Sequence, residues 1–227
     1  MTFSRQNIAT FLAILFHVTG LIGILVTPYK DWFIQNTAFT LFLMAILVIW
    51  NQSQKNYHFF GFLLIAFMIG FGTETIGVNT GHLFGNYQYG SVMGAKLNGV
   101  PLLIGLNWFV IIFCSASTMV QLQEWISKKL EKTGAEISPT MANLSLIIDG
   151  ALLATFFDWV MEPVAIKLGF WQWKNNEIPF YNYLCWFIIS ALLLMVYRWC
   201  SFSKPNYFAV HLLIIQLLFF YALRTYL

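Results

Sequence analysis

Four acidic residues lie within or at the end of apolar stretches of this chain, namely Glu74, Asp149, Asp158 and Glu162. A carboxyl group at membrane depth is costly and rare unless it has a function. Burial and like charge both oppose ionisation, so one acid of such a group can stay protonated and act as a general acid. An ionised neighbour can then accept a proton or orient water. The residue types therefore predict proton-transfer chemistry on an apolar substrate, with these four residues as catalytic candidates.

Helical spacing relates three of these acids to one another. Asp158 and Glu162 are four residues apart and share one face of a helix. Asp149 precedes Asp158 by nine residues, about half a turn out of phase on an ideal helix. It would join the other two only if the helix kinks or a loop folds back. The alternative, that a nearby hydroxyl, amide or backbone group neutralises each acid, stays open.

A glycine- and aromatic-rich segment follows Glu74, within GFGTETIGVNTGHLFGNYQYGSVMGAKLNGVP at residues 70–101. Glycine allows tight turns and close approach to a ligand, and phenols offer a flat ring with a polar tip. Candidates to hold a water molecule are Asn79, Thr80, His82, Tyr87 and Asn107. Rings that could stabilise a cation are those of Phe84, Tyr87, Tyr89, Trp108, Trp159, Phe170, Trp171 and Trp173. Trp and Tyr also accumulate at membrane interfaces, and the segment could be an ordinary external loop.

The composition indicates an integral membrane protein. Hydrophobic residues make up 59% of the 227 residues and charged residues 9%, whereas soluble proteins carry roughly 25% charged residues. The net charge of +3 is too small and dispersed to indicate a nucleic-acid partner. The three cysteines form no CxxC pair and indicate neither a disulfide framework nor a zinc site. We expect no metal and no cofactor.

Apolar runs predict an all-α polytopic membrane helical bundle of about seven transmembrane helices, in a single integral membrane domain over residues 1–227. Each run is close to the ~20 residues that a spanning helix needs. The runs cover residues 8–26, 33–50, 59–78, 101–123, 140–161, 180–200 and 207–226. Seven of the twelve basic residues fall on the side of the N-terminus, which favours a cytoplasmic N-terminus in the inner (plasma) membrane. The loops at 79–100 and 162–179 should emerge on the same side.

Three segments in order, ETIGVNTGHLFGNYQY, GVPLLIGLNW and DWVMEPVAIKLGFWQW, resemble the bacterial and archaeal carotenoid 1,2-hydratases of the bisanhydrobacterioruberin hydratase type. The resemblance covers most of residues 60–175. It implies a multi-pass enzyme that adds water across the terminal C1=C2 bond of an acyclic carotenoid ψ-end. Lycopene, γ-carotene or a C50 precursor would be the substrate, and other enzymes of carotenoid biosynthesis are candidate partners.

The chemistry of the residues suggests how such a hydration would proceed. A protonated carboxyl would deliver a proton to C2, a tertiary cation would form at C1, and water activated by a second carboxylate would attack it. We expect Glu74 and Asp158 to be that pair, with Asp149 and Glu162 as rivals. A carotenoid cyclase or isomerase would use similar groups. A carotenoid- or lipid-binding protein without activity would need the aromatic residues but not the acids.

Overall fold

The structure is a computed structural model that describes residues 4–227, and most of them are α-helical. The helices are α1 (Arg5–Leu25), α2 (Lys30–Gln35), α3 (Thr37–Asn51), α4 (Tyr57–Thr80), α5 (Leu102–Leu130), α6 (Pro139–Lys167), α7 (Phe180–Trp199) and α8 (Tyr207–Tyr226). Four short strands lie in the loops, namely β1 (Tyr87–Tyr89), β2 (Lys96–Leu97), β3 (Val100–Pro101) and β4 (Trp171–Trp173). The prediction of an all-α polytopic bundle is confirmed.

Six of these helices, α1 and α4 to α8, are long and apolar enough to cross a membrane. The predicted run at 33–50 instead divides into α2 and the 15-residue α3, which at 1.5 Å per residue is about 22 Å long. Asn36 lies at the break, and its side-chain amide donates to the Trp32 carbonyl at 2.8 Å. Asparagine is a poor helix former, and the backbone of Asn36, with φ −86° and ψ 3°, leaves the helical conformation at this point.

Helix α5 occupies the centre of the bundle, and α3, α4, α6, α7 and α8 pack against it. Of the 18 residues that form its most apolar stretch, 72% are buried. Its Trp108 lies directly over Gly70 of α4. A Cβ atom on Gly70 would lie 2.3 Å from Cγ of that indole. The missing side chain therefore lets the two helices approach closely enough to bring Trp108 beside Glu74, one turn further along α4.

The two long loops lie on the same side of the bundle, as the helix count predicted. Strand β1 of the first loop pairs antiparallel with β4 of the second, with Tyr87 opposite Trp173 and Tyr89 opposite Trp171. The N–H of Gly90 continues the pairing by donating to the Phe170 carbonyl at 2.8 Å. The paired strands form a small lid over the ends of α4 and α6, and strands β2 and β3 form a separate hairpin.

The Gly90→Ala variant should weaken this lid. A Cβ at position 90 would lie 2.0 Å from the carbonyl oxygen of Gly169, a backbone atom that cannot rotate away. We expect a loss of about 1–3 kcal/mol of stability, the range of a severe local clash, visible as a lower melting temperature in detergent. The Gly72→Ala control, which has no atom within 4 Å of the new Cβ, should not lower it. An unchanged melting temperature for Gly90→Ala would contradict the close approach.

Helix α6 continues through Pro163 without ending. Proline has no N–H and frees the carbonyl four residues earlier, which belongs to Trp159. Arg224 of α8 donates from Nη1 to this carbonyl at 2.9 Å, and its guanidinium carbon lies 4.0 Å from the centroid of the Trp159 ring. The freed carbonyl is thus satisfied, and α6 extends past Glu162 to Lys167.

Candidate active site

Three carboxyl groups line one cavity beneath the lid. Glu74 comes from α4, and Asp158 and Glu162 come from adjacent turns of α6; these residues are 5%, 1% and 3% exposed. The cavity has a volume of about 30 Å³, which is enough for a water molecule. Within residues 4–227, no Lys, Arg or His side chain lines it. Three carboxylates without a cation are strongly disfavoured in an apolar interior, so the site is suited to hold at least one proton.

The lid and α5 supply three hydrogen-bond donors to Glu74. The Tyr87 and Tyr89 hydroxyls both donate to Oε2, the Tyr89 bond at 2.8 Å, and the Trp108 indole donates to Oε1 at 3.0 Å. Burial and then the charge of Glu74 raise the pKa of both tyrosines, which keeps their hydroxyls protonated as donors. Donors aimed at both oxygens stabilise the ionised form of this carboxyl.

The second strand of the lid supplies the donors to Glu162. The indole N–H groups of Trp171 and Trp173 both donate to Oε2 at 2.9 Å. Alternation along a strand explains the arrangement, because residues two apart point to the same face. Tyr87 and Tyr89 on β1 and Trp171 and Trp173 on β4 are buried, while the residue between each pair is exposed. The inner face of the lid therefore carries four aromatic donors for two carboxyls.

Asp158 receives a single protein hydrogen bond, at 3.0 Å from the side-chain amide of Asn182 on α7 to Oδ2. In the part of the chain that the structure describes, Asp158 Oδ1 and Glu162 Oε1 have no protein partner. Both residues line the cavity. The second oxygen of each carboxyl is thus available to a small molecule between them.

Aromatic rings enclose the remaining walls. Trp108 stacks on Trp186 of α7 with ring centroids 3.9 Å apart and planes at 12°. The ring centroid of Phe84 lies 6.3 Å from that of Trp108. The Phe84 backbone has a positive φ of 65°, a strained conformation for a bulky residue and one that clusters at functional sites. Such π-faces attract positive charge. The site combines proton donors and acceptors with surfaces that can stabilise a cation.

Most of the sequence-predicted site residues meet at this cavity. Its lining includes Glu74, Asp158 and Glu162 together with Phe84, Tyr87, Tyr89, Asn107, Trp108, Trp171 and Trp173. Asp149 is not brought there: it is exposed and accepts a hydrogen bond from Ser145 at 2.6 Å. Its position is the one that an unkinked α6 dictates, half a turn away from Asp158.

Three polar candidates of the first loop region also lie outside the cavity, because the end of α4 turns them outward. Asn79 and Thr80 are exposed, and their side chains donate to the backbone carbonyls of Thr75 and Ile76 at 2.8 and 2.6 Å. His82 is exposed after the left-handed turn at Gly81. None of the three can contact a molecule held between the carboxyls, so the structure gives them no place among the water-holding residues.

Sequence reasoning missed two residues of α7 that complete the site, Asn182 and Trp186. Asn182 is buried and lies on the first turn of an otherwise apolar helix, a position that signals a buried polar partner. Trp186 lies four residues later, on the same face. Among residues 4–227, no group of three or more His, Cys, Asp and Glu side chains has a metal-binding arrangement.

The Tyr89→Phe variant tests the importance of the donors to Glu74. It removes the 2.8 Å hydrogen bond and keeps the ring that faces Trp171. A hydrogen bond to a charged group contributes about 1.5–3 kcal/mol, so we expect about a 10- to 100-fold loss of turnover, whatever the substrate. The Gln88→Leu control changes the exposed neighbour on the same strand and should keep wild-type turnover. Equal activity of Tyr89→Phe and wild type would show that this bond has no role in the chemistry.

Comparison with known proteins identifies the family to which this chain belongs. Residues 34–226 match the model of a family described as carotenoid biosynthesis protein. The bisanhydrobacterioruberin hydratase of Haloarcula japonica is 25% identical to the chain over 142 residues. That alignment spans 60% of this chain and 44% of the relative, so less than half of the curated relative is matched. No solved structure matches the chain.

Proposed function

Because this chain belongs to the carotenoid biosynthesis protein family, we propose that it is a hydratase that adds water to the terminal C1=C2 bond of an acyclic carotenoid ψ-end. The observation that carries the proposal is the water-sized cavity between Glu74, Asp158 and Glu162, enclosed by aromatic rings and without a basic lining residue. The similar archaeal protein is named a hydratase. Protein carboxyls alone supply the chemistry in this proposal.

Asp158 is the proton donor in the proposed reaction. Its carboxyl has one hydrogen-bond donor, whereas Glu74 has three and Glu162 has two. Fewer donors stabilise the charged form less, so the proton of the cluster resides on Asp158. The π electrons of C1=C2 take this proton to form the C2–H bond, and C1 becomes a tertiary cation beside the stacked indoles.

Glu74 is the base that completes the addition. The water oxygen forms the C1–O bond, and one water proton passes to the Glu74 carboxylate, whose charge the two phenols and one indole stabilise. The product is a tertiary alcohol, and the net change is one added water. Glu162, held between the two lid tryptophans, relays the proton from Glu74 back to Asp158 for the next turnover.

The arrangement also supports a weaker alternative, in which the donors simply satisfy buried carboxyls. That alternative explains the bonds to Glu74, but it does not explain why three acids of two helices share one cavity while Asp158 and Glu162 each keep an oxygen without a protein partner. A role in which carboxyls bind and move protons accounts for both features. A carotenoid cyclase or isomerase would use the same protonation and differs in the fate of the cation, since no water would be captured.

The first test is expression of the chain in a lycopene-producing bacterium, followed by chromatography and mass spectrometry of the pigments. We expect a more polar pigment that is heavier by one water and keeps the length of the chromophore. A pigment of unchanged mass and altered absorption would instead indicate cyclisation or isomerisation. Unaltered lycopene that copurifies with the protein would indicate binding without turnover. Hosts that make γ-carotene or C50 carotenoids would extend the test to the other substrates.

The proposal also states in which membrane the protein lies and on which side of it the lid is found. The six spanning helices make the chain a multi-pass membrane protein. The shorter α3 also runs back across the bundle, because Gln52 at its end donates to the Ser203 carbonyl before α8, on the side away from the lid. With this additional crossing, a cytoplasmic N-terminus in the plasma membrane would put the lid on the outer side. The carboxyl cavity then lies at the edge of the bilayer, where an apolar polyene and water are both within reach. Other enzymes of carotenoid biosynthesis remain candidate partners in this membrane.

A further inference from the structure

A second cavity lies between α1, the α2–α3 segment and α8, on the same side of the bundle as the lid. Its volume is about 390 Å³, within the range of small-molecule sites. Apolar and aromatic side chains such as Phe16, Phe33, Leu41 and Phe219 form most of its wall, and within the described residues 4–227 no acidic side chain, Lys or Arg takes part. We call this cavity the lateral groove, because its rim residues Trp32 and Phe39 are exposed on the outer surface of the helix bundle.

A small cavity of about 20 Å³, the neck, lies between the lateral groove and the carboxyl cavity and shares wall residues with both. This neck shares Leu41 and Gln216 with the lateral groove. It shares Met161 and Trp171 with the carboxyl cavity. The three cavities are therefore neighbours, in order from the exposed rim to the three acids, and each adjacent pair is separated by side chains that line both.

We propose that the lateral groove binds the extended polyene chain of the substrate and that the neck leads its terminal double bond to the carboxyls. The inference rests on the proposed function and adds to it the binding site and the route of access. The alignment of the three adjacent cavities is the argument for this occupant, because a ligand in the groove with its end in the neck points toward the cavity that holds Asp158 and Glu162. The rest of a long polyene would extend past Trp32 and Phe39 into the lipid, where it is already soluble.

The small volume of the neck implies that it selects between acyclic and cyclised ends of a carotenoid. A linear end with two terminal methyl groups is slender, whereas a cyclised end carries a six-membered ring. Leu41 and Met161 are flexible aliphatic residues that can shift aside without exposing a polar group, but the tryptophan and phenylalanine walls of the neck, Trp171 and Phe220, are stiffer. The neck thus opens for an acyclic end and excludes a ring, so a carotenoid with one ring should bind with its open end, and not its ring, toward the acids.

Gln216 places a polar side chain in the otherwise mostly apolar wall of the neck. The residue is 2% exposed, and its Oε1 has no hydrogen-bond partner among residues 4–227. A buried acceptor without a partner is unfavourable and unusual in a native structure. The hydrated product carries a hydroxyl that must withdraw through the neck and can donate to this oxygen. The free Gln216 oxygen is therefore better explained as a hydrogen-bond acceptor for the product hydroxyl, as the product leaves the carboxyl cavity, than as a structural group.

The Gly20→Leu variant tests the lateral groove. Gly20 lines it, and a Cβ there would meet only the Phe219 ring, at 3.6 Å, so the larger side chain fills space without a backbone clash. We expect lycopene binding to purified protein in lipid nanodiscs, measured by tryptophan quenching, to weaken about tenfold, the effect of losing contacts equal to roughly two methylene groups. The matched control is Gly61→Leu, where no atom lies within 4 Å. Binding should be unchanged in this control.

The Met93→Trp variant tests the neck, because Met93 lines the neck and not the lateral groove; Ser91→Trp, at an exposed position of the same loop, is the control. A tryptophan at position 93 should abolish hydrated product while lycopene still binds in the lateral groove, and Ser91→Trp should behave as wild type. Wild-type binding in Gly20→Leu together with full hydration in Met93→Trp would overturn the groove and neck, although hydration itself would stand. A wild-type protein that binds lycopene through the groove but hydrates none of lycopene, γ-carotene and a C50 carotenoid would refute the proposed function and leave the binding site intact.

Discussion

The Glu74→Gln variant is expected to make no detectable hydrated carotenoid while it remains folded. The amide has nearly the shape of the carboxyl and keeps an oxygen for the Trp108 indole, but it cannot take a proton from the attacking water. Loss of a positioned general base costs about 10²–10⁴ in rate. In a pigment-producing host, a fall of this size leaves lycopene as the accumulated compound.

The measurement is the ratio of hydrated to unaltered pigment, normalised to the amount of membrane-inserted protein and accompanied by a melting curve in detergent. Asp149→Asn is the matched control, because Asp149 is an acid of a neighbouring helix that is exposed and lies outside the cavity. It should keep wild-type yield. Full activity of Glu74→Gln would remove Glu74 from the mechanism, and loss of activity in Asp149→Asn would show that acids outside the cavity matter equally.

The Asp158→Asn variant is expected to stop the reaction one step earlier. Without the proton of Asp158, C2 is not protonated and no cation forms. With purified protein in nanodiscs and heavy water, lycopene recovered from Asp158→Asn should carry no deuterium at C2. The Glu74→Gln protein should still exchange deuterium there, because a cation that is not captured by water reverts to the alkene.

This pair of labelling results assigns the roles of the two acids. Exchange in Asp158→Asn but not in Glu74→Gln would reverse them, and exchange in both would transfer the donor role to Glu162. The hydrogen bond from Asn182 keeps the cavity in place in Asp158→Asn, because a side-chain amide at position 158 retains an oxygen that can accept it. A melting temperature near that of wild type would verify that point.

Helical periodicity predicted the central part of the site. The four-residue spacing of Asp158 and Glu162 places them on one face, and the half-turn offset of Asp149 places it elsewhere. The count of spans placed both loops on one side of the bundle. The same reasoning, applied to α4, separates Asn79 from Glu74, since five residues correspond to about 140° around a helix. Their opposite environments therefore follow from local geometry.

The remaining parts of the site depend on tertiary packing that no local pattern encodes. The pairing of β1 with β4 joins loops that are far apart in sequence, and it assigns two tyrosines to one acid and two tryptophans to the other. Asn182 reaches Asp158 only because α7 packs along α6. The division of the second apolar run lies at a single polar residue, Asn36, which the apolar character of the residues around it did not predict.

Each of the two glutamates obtains donors from the loop that immediately follows its own helix. Glu74 is followed 13 and 15 residues later by its tyrosines, and Glu162 is followed 9 and 11 residues later by its tryptophans. Each glutamate loses its hydrogen bonds to water when it enters the membrane. During synthesis, the donors in the loop that follows its own helix can replace these hydrogen bonds. An unsatisfied carboxyl in hydrocarbon opposes membrane insertion. We therefore expect Glu74 and Glu162 to be shielded by their own helix–loop units as α4 and α6 insert, whereas Asp158 obtains its donor, Asn182, only when α7 packs against α6.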